Sequence, residues 1–200
     1  MFNFGAAYTS PQKVTHENVY DFNQDGNYDD LDLEAPQNFA FGISAEPIDA
    51  LLVEFDTKWY NWSDADGYKD FDWEDQWVFA LGAQYKVSQA LALRIGYNYG
   101  KNPVKEHNGW SPDPTNTVNV QGTPVSTPSY EAFRIIGFPA IIEHHLTLGI
   151  GYAVTSNMAV NLSYMHGFEE TIKEKSAYDM VSYESSLSEE SFSLGFTVLF

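Results

Sequence analysis

Residues 145–154 read HLTLGIGYAV, a stretch in which every second side chain is large and apolar. The large side chains share one face of an extended chain, at Leu146, Leu148, Ile150, Tyr152 and Val154. The other face carries small ones after His145, at Thr147, Gly149 and Gly151. A period of two residues predicts a β-strand with one apolar face.

The same alternation recurs along most of the chain, for example in LALRIGYNY (91–99) and in the final SFSLGFTVLF (191–200), which ends on Phe200. Turn-rich segments separate these stretches. The pattern predicts an all-β protein of about nine strands, at residues 2–9, 13–22, 35–46, 50–62, 76–87, 90–100, 143–154, 158–168 and 191–200.

The composition of the two faces separates a membrane barrel from a soluble sandwich, which also alternates. The non-apolar face is mainly Gly, Ser, Thr, Ala and Asn rather than the Lys and Glu of a water-facing sheet. Aromatic residues gather near strand ends, at Trp59, Trp62, Trp77, Tyr97, Tyr99 and Tyr164 on one side and Tyr85, Tyr152 and Phe200 on the other. An apolar outer band between aromatic girdles is typical of a transmembrane antiparallel β-barrel.

Connections alternate between tight turns and long excursions, which are expected at about 23–34, 63–75, 101–142 and 168–190. Outer-membrane barrels have short periplasmic turns and long extracellular loops. Residues 1–200 are therefore expected to form a single barrel segment. Because such barrels close with an even number of strands, nine strands and an N-terminus without a signal-peptide pattern predict the C-terminal part of a longer protein.

Charge and cysteine content exclude several classes of function. The chain has 28 acidic and 10 basic residues, and its formal net charge of -18 argues against nucleic acid as a partner. It has no cysteine, so no disulfide and no thiolate metal site can form. The adjacent His144 and His145 point to opposite faces of a strand, where interfacial packing is the simpler role. No catalytic triad has support in the sequence, and an enzyme is not expected.

Several segments, in order along the chain, resemble the FadL family of outer-membrane transporters. They are GAAYTSP (5–11), YNWS (60–63), ALGAQY (80–85), LALRIGYNYGKNPV (91–104), FPAIIEHHLTLGIGY (138–152) and NLSYMHG (161–167). The resemblance implies the last nine strands of a 14-stranded barrel with an N-terminal hatch, in the Gram-negative outer membrane. The chain departs from the family pattern at Thr9, where the family often has a basic residue, and in its acidic loops.

The resemblance also implies a function, namely passive transport of hydrophobic compounds, with long-chain fatty acids as the leading ligand. Outer-membrane lipid and lipopolysaccharide would surround the barrel. One alternative is a structural or adhesive barrel with acidic, calcium-binding surface loops and no lipid transport. A second alternative, a soluble calcium-binding β-protein, fits the loops but not the girdles. No cofactor is required for either barrel function.

Three inward-facing residues are candidates for contact with a ligand in the lumen. The alternation places Lys58, Tyr60 and Arg94 on the small-residue face. A cation in a partly dehydrated lumen would favour the carboxylate of a fatty acid. The alternative is that these cations pair with inward acids such as Glu54 and Asp56 and stabilise the barrel.

Residues 21–32, DFNQDGNYDDLD, match the spacing of an EF-hand calcium loop, with glycine at the sixth position. The predicted ligands are Asp21, Asn23, Asp25, Asn27, Asp29 and Asp32. Because strands flank this loop rather than helices, a calcium-sensor switch is excluded. A Ca²⁺ ion that stiffens an extracellular hairpin is expected instead, with an unoccupied acidic loop as the alternative.

Overall fold

The computed structural model of the chain describes residues 1–21, 25–137 and 140–199. Phe200, expected on the apolar face of the last strand, lies outside these ranges. No helix within them is long and apolar enough to cross a membrane. They contain one α-helix, α1 (Thr127–Ala132), and the strands β1 (Phe2–Thr9), β2 (Gln12–Tyr20), β3 (Asp29–Ala35), β4 (Asn38–Ile48), β5 (Leu51–Tyr60), β6 (Gln76–Lys86), β7 (Leu91–Gly100), β8 (Thr117–Val120), β9 (Thr123–Ser126), β10 (His144–Thr155), β11 (Met158–Lys175) and β12 (Ser182–Val198).

Eight of these strands form one antiparallel sheet in the order β1, β4, β5, β6, β7, β10, β11, β12. Neighbours stay in register over most of their length: Leu148 of β10 lies opposite Ile95 of β7 and Tyr164 of β11. This meander, in which each strand pairs with the next one in the sheet, is the way outer-membrane barrels are built. It confirms the predicted all-β, antiparallel class.

The two faces of the sheet differ as the period of two predicts. One face presents large apolar side chains that remain 40% to 55% exposed, such as Phe55, Ile95 and Leu81. The opposite face, called here the inner face, is lined mainly by small residues, including Ala40, Gly42, Ala80, Gly82, Gly96, Thr147, Gly149 and Ser163. An apolar face this exposed suits contact with lipid.

Aromatic side chains form a row across the first strands of the sheet. The ring of Tyr8 lies 4.8 Å from that of Phe39, which lies 6.1 Å from that of Trp59. Trp59 is in turn directly opposite Trp77 on the next strand. This row lies where the sequence predicts an aromatic girdle, at the strand ends that lead into the long excursions.

The predicted strand at 13–22 is not part of the barrel sheet, so the expected nine strands become eight in the described residues. β2 pairs with β3 in a separate hairpin, and β1 pairs directly with β4. The reason lies in the sequence QKVTHENVY of β2. Alternate residues put Lys13 and Glu17 on one face and His16 and Asn18 on the other, so neither face could meet lipid.

The segment 168–190, expected as a loop, is mostly strand. β11 continues to Lys175 and β12 begins at Ser182, and the two remain paired beyond a bulge between Gly167 and Glu170. Cross-strand pairs of polar residues support this outer part, among them an ion pair between Lys173 and Glu184. The outer part of this hairpin thus extends beyond the apolar band and is stabilised by cross-strand pairs of polar side chains that can face water.

The buried core lies beyond the apolar band of the barrel sheet, in a unit called here the cap. The cap comprises the β2–β3 hairpin, residues 61–75, residues 101–137 and 140–142, and the outer part of β11 and β12. Its core consists of Leu31, Phe71, Trp73, Val104, Val120, Val125, Tyr130, Ile135, Ile141 and Ile172. A barrel wall has lipid on one side and a lumen on the other, so only the water-facing cap needs such a core.

Residues 61–75 dock onto the β2–β3 hairpin through a glycine. Gly67 has φ of +85°, and a Cβ atom there would lie 2.6 Å from the carbonyl oxygen of Asp32. Only glycine allows this conformation and this approach without strain. Lys13 reinforces the contact, since its Nζ lies 2.7 Å from Asp32 and 2.8 Å from Asp66.

Candidate functional site

Arg94 lies flat across the inner face. From β7, its Nε donates to Oε1 of Gln84 on β6 at 2.7 Å, and its Nη1 donates to Oδ1 of Asn161 on β11 at 3.1 Å. β10 lies between β7 and β11, so the side chain must cross it. It does so over Gly151, where a Cβ atom would come within 3.0 Å of Nη1. The glycine therefore makes room for a fixed guanidinium.

The guanidinium lines an open hollow of about 410 Å³ on the inner face. Small or flexible residues from five strands surround it together with the carboxylate of Glu54, and they include Leu52, Gln84, Gly96, Thr147, Gly149 and Ser163. Two of the five N–H groups of Arg94 have partners among the described residues. The rest can reach an anionic or polar group in the hollow.

Lys58 and Tyr60, the other predicted lumen residues, are also on the inner face but far from Arg94. Arg94 is paired with Gln84 on β6, and Gln84 is paired with Leu52 on β5, so these three residues lie at one height in the sheet. Lys58 is six residues further along β5, which corresponds to about 20 Å at about 3.3 Å per residue. The structure therefore separates the predicted lumen site into two levels, with Glu54 and Asp56 between them.

The alternative role of these cations, pairing with inward acids, is not observed in the described part of the chain. None of the ion pairs found there includes Lys58 or Arg94. Arg94 binds two neutral amides instead. No carboxylate of the described residues lies within ion-pair distance of its guanidinium, although Glu54 lines the same hollow.

A second polar cluster lies in the cap around Arg134, which is fully buried. Its Nε donates to the carbonyl oxygen of Phe71 at 2.8 Å, and its Nη2 donates to that of Lys105. Its Nη1 donates to Oε2 of Glu131 at 2.6 Å and to Oε1 of Glu174 at 3.0 Å. The side chain of Arg134 is thus hydrogen-bonded to four segments of the cap.

His107 completes this cluster. Its Nε2 lies 2.8 Å from Oδ2 of Asp72, and its Nδ1 lies 3.1 Å from Oε1 of Glu131. The hydrogen bond with Glu131 raises the pKa of His107 above its usual value, and Asp72 acts in the same direction against burial. Burial raises the pKa of Glu174, whose Oε2 has no hydrogen-bond partner in the described residues.

Two groups in the described residues bring possible metal-ligating atoms within 4.8 Å of one another, namely His107, Glu131 and Glu174, and Glu143, His144 and Glu170. In the first group, Nη1 of Arg134 lies 2.6 to 3.0 Å from all three side chains and takes the central position. In the second, His144 stacks on Tyr99 at 4.8 Å, and its Nδ1 lies 2.6 Å from the Tyr97 hydroxyl. His144 therefore has the packing role that the sequence suggested.

A family model described as outer membrane protein transport protein (OMPP1/FadL/TodX) matches residues 2–111, more than half of the chain. The chain belongs to this family. Membership confirms the resemblance, the barrel class and a Gram-negative outer-membrane location. No curated protein sequence matches the chain.

Solved barrels have the same fold as this FadL-type chain. The Pseudomonas putida toluene transporter TodX has 18% identity and a TM-score of 0.59, with 100% of this chain and 46% of TodX covered. A Pseudomonas aeruginosa FadL homologue has 16% identity and a TM-score of 0.60, with 98% and 49% covered. The Ralstonia pickettii toluene transporter TbuX has 14% identity and a TM-score of 0.55, with 100% of this chain and 44% of TbuX covered. The chain spans just under half the length of each.

In this FadL-type protein, Asp21 and residues 25–28 of the predicted calcium loop lie between β2 and β3. Oδ1 and Oδ2 of Asp21 accept the backbone N–H groups of Asp25 and Gly26 at 3.0 and 2.9 Å. Oδ1 of Asp25 accepts the N–H of Asn27 at 2.8 Å. Gly26 has φ of +93°, which the sharp turn requires. Asn23 lies outside the described residues.

The last two predicted ligands lie in β3 and have other contacts. Oδ1 of Asp29 accepts the hydroxyl of Thr123 at 3.2 Å. Oδ1 of Asp32 accepts the hydroxyl of Thr15 at 2.6 Å, and its Oδ2 lies 2.7 Å from Nζ of Lys13. Asp21, Asp25 and Asn27 thus bond within the turn, whereas Asp29 and Asp32 bond to residues of β9 and β2. Calcium binding stays a prediction.

Calcium at about 1 mM is expected to slow proteolysis between β2 and β3, because a bound ion would cross-link the carboxylates there. Replacing two of these carboxylates, with Asp21→Ala and Asp25→Ala, should remove this protection. The matched control, Asp113→Ala with Asp179→Ala, removes two exposed acids elsewhere and should keep it. Equal proteolysis of the unmutated protein with and without calcium would contradict the prediction.

Sequence reasoning missed the cap cluster of Asp72, His107, Glu131, Arg134 and Glu174. These residues are spread over more than 100 positions, in segments expected to be loops. One local signal was available, since Arg134 stands beside the apolar IIGF (135–138). An arginine at the start of an apolar run is buried only when carboxylates meet it.

Proposed function

We propose that the protein forms part of an outer-membrane barrel that admits hydrophobic compounds by passive passage, with long-chain fatty acids as the preferred class. The ligand would leave water at the extracellular end and move along the small-residue inner face. No energy source is needed if the compound moves down its concentration gradient. The family to which the chain belongs supports transport in general.

The fixed guanidinium of Arg94 carries the proposal of an acidic lipid. It is held by Gln84 and Asn161, so its orientation costs little when a ligand arrives. Its remaining N–H groups suit a carboxylate. The surrounding hollow of about 410 Å³ offers small side chains and backbone, against which an alkyl chain can lie.

Neutral aromatic hydrocarbons are the competing ligand class. Two similar structures are toluene transporters, and a third is a monoaromatic hydrocarbon channel. These barrels are 14% to 21% identical to the chain, which supports a shared fold rather than a shared ligand. A guanidinium attracts the face of a neutral aromatic ring only weakly, whereas its hydrogen bonds to a carboxylate are charge-assisted, and so Arg94 favours the fatty acid.

Replacing Arg94 by glutamine tests the ligand class. Loss of a charge-assisted hydrogen bond worth about 1.5–3 kcal/mol should lower fatty-acid uptake by about tenfold or more. Toluene uptake should fall much less, because a cation–π contact with the neutral ring is worth only about 0.5–1 kcal/mol at an exposed site. Both rates are measured in the same proteoliposomes with radiolabelled oleate and radiolabelled toluene.

The control variant is Lys173→Gln, which removes a positive charge on the outer part of β11 and should leave both rates unchanged. An equal fall in the uptake rates of oleate and toluene in Arg94→Gln would mean that the barrel is damaged or that the charge of Arg94 does not discriminate between the two ligands. No fall for either ligand would remove Arg94 from the ligand path.

A structural or adhesive barrel, the alternative function, makes a different prediction for the purified protein. A transporter with an apolar path should retain endogenous lipid after extraction in mild detergent, and native mass spectrometry should detect it. The lipid should be displaced by added oleate. A barrel that carries no interior lipid and takes up none would favour the structural function.

A further inference from the structure

The buried cluster of the cap carries unequal numbers of acidic and basic groups. Asp72, Glu131 and Glu174 supply three carboxylates, whereas Arg134 and Lys105 supply two fixed cations. Nζ of Lys105 lies 3.3 Å from Oδ2 of Asp72 at the outer edge of the cluster. Glu131 and Glu174 are 3% and 0% exposed, so water compensates little of the difference. One further proton is needed for balance.

His107 is placed to carry that proton. Its Nδ1 lies 3.1 Å from Oε1 of Glu131 and 2.9 Å from Nη1 of Arg134. An imidazole nitrogen can donate to the carboxylate or accept from the guanidinium, but it cannot do both at once. The geometry therefore allows two states, a charged ring that donates to Glu131 and a neutral ring that accepts from Arg134.

Every segment packed against His107 contributes a titratable or charged group. Asp72 follows the 3₁₀ turn Lys69–Phe71, Glu131 lies in α1, and Arg134 lies in the π-helical turn Phe133–Gly137. Lys105 lies in the same segment as His107, and Glu174 accepts the backbone N–H of His107 at 2.7 Å. The sixth group is the phenol of Tyr130, whose ring lies 6.4 Å from the imidazole.

The phenol of Tyr130 does not compete for the proton. Its hydroxyl donates to the carbonyl oxygen of Asp70 at 2.9 Å. Burial raises the pKa of Tyr130 far above its usual range, so the phenol stays neutral at physiological pH. Tyr130 therefore adds no charge to the cluster.

We propose that His107 is a proton-operated latch that holds residues 101–107 against α1 and the outer part of β11. The charged ring donates to Asp72 and Glu131 and balances three carboxylates with three cations. The neutral ring loses the bond with Glu131 and leaves a surplus negative charge in a region of low dielectric constant. Residues 101–107 then separate from α1 more often.

The direction of the pH effect on the latch follows from the directions in which the pKa values of its groups are shifted. Hydrogen bonding to Glu131 raises the pKa of His107, so its stabilising effect is full below about pH 6.5 and is lost as pH rises through the raised value. The raised pKa of Glu174, caused by burial, acts in the same direction. Burial acts to raise the pKa of Asp72 and of Glu131, but their hydrogen bonds with His107 contribute to a net lowering of both.

The two lowered pKa values set the other limit of the latch. Asp72 and Glu131 contribute stability above their usual carboxyl range and lose it as pH falls below about 4. The latch is therefore expected to be closed in mildly acidic conditions and to loosen towards alkaline pH. Opening would reach the barrel, because Lys105 and Glu106 line a hollow of about 370 Å³ at its rim with Glu143 and Glu170.

Amide hydrogen exchange of the full chain in detergent micelles tests the latch. Protection of residues 101–107 and 127–132, corrected for the intrinsic rate, should fall by about tenfold between about pH 6 and about pH 8.5. In His107→Gln, protection should be lower at pH 6 and nearly independent of pH. The control His16→Gln, on the exposed β2, should keep the full pH dependence.

A titration of the unmutated protein makes the test independent of whether a variant folds. The ring signals of His107, followed by NMR with ¹⁵N-labelled histidine, should titrate above the usual histidine range and in step with the loss of protection. A midpoint at or below that range would overturn the proposal. A pH dependence that persists in His107→Gln would overturn it as well. Neither readout depends on transport, so failure of the latch leaves the proposed function untouched.

Discussion

Replacing Arg134 by methionine is expected to destabilise the cap by about 3–5 kcal/mol, because two buried carboxylates lose their shared cation. Glu131 and Glu174 would remain in a dry site with at most His107 to balance them. The carbonyl oxygens of Phe71 and Lys105 would also lose their donor. Methionine is chosen since its length fills most of the space, which limits the effect of a cavity.

Hydrogen exchange of Ile135 and Ile172 under native conditions would measure this loss, because both side chains belong to the cap core. The exchange of β6 and β7 should remain slow, since the barrel sheet does not depend on the cap cluster. Lys101→Met provides the control: its pair with Glu74, at 3.6 Å, is exposed and should contribute little.

A double variant separates charge from packing at this position. If unpaired carboxylate is the cause, Arg134→Met combined with Glu174→Gln should be more stable than Arg134→Met alone. If the double variant is less stable than Arg134→Met, the loss comes from packing and from the two carbonyl bonds. The assignment of Arg134 as the electrostatic centre of the cap would then be wrong.

The barrel sheet could be predicted from the sequence because lipid imposes a local rule on every strand. Each strand must alternate between a lipid-facing and an inner side chain, so a stretch such as 145–154 reveals its strand and its faces without its neighbours. The strands predicted at 76–87 and 90–100 occur at Gln76–Lys86 and Leu91–Gly100. The inward direction of Arg94 follows from the same rule.

The cap could not be predicted in this way, since no local rule governs it. Arg134 meets Glu131 three residues away but Glu174 forty residues away, and His107 reaches Asp72 over 35 positions. Such partners depend on how the excursions fold over one another. The alternation of β2 was misassigned to the barrel for a related reason, because period alone does not tell a lipid-facing strand from a water-facing hairpin.

The position of the proposed ligand site was predictable only in part. The period of two identifies Lys58 and Arg94 as inward cations that could each bind a carboxylate, but it does not show that they are about 20 Å apart along the strands. The amide partners of Arg94 were also hidden, because Asn161 lies 67 positions away in the chain. The glycine that makes the crossing possible, Gly151, reads in the sequence only as a small inward residue.

Replacing Gly82 by tryptophan is expected to reduce uptake of any hydrophobic compound by about tenfold or more, because the indole would occupy the path. Gly82 lines the hollow that contains Arg94. A Cβ atom there would come no closer than 3.9 Å to its nearest neighbour, the carbonyl oxygen of Ile95, so the barrel should fold normally. Uptake of oleate and of toluene into proteoliposomes measures the effect.

Leu81→Trp is the matched control, since it adds an indole one residue away on the opposite, lipid-facing side of β6, where Leu81 is 55% exposed. It should fold equally well and leave uptake unchanged. Loss of uptake in Gly82→Trp alone would place the route along the inner face of these strands. Equal uptake in both variants would mean that ligand does not pass this level of the lumen, and the role assigned to Arg94 would fail with it. Because the indole blocks by volume and Arg94→Gln acts by charge, the two variants together separate the route from the selectivity.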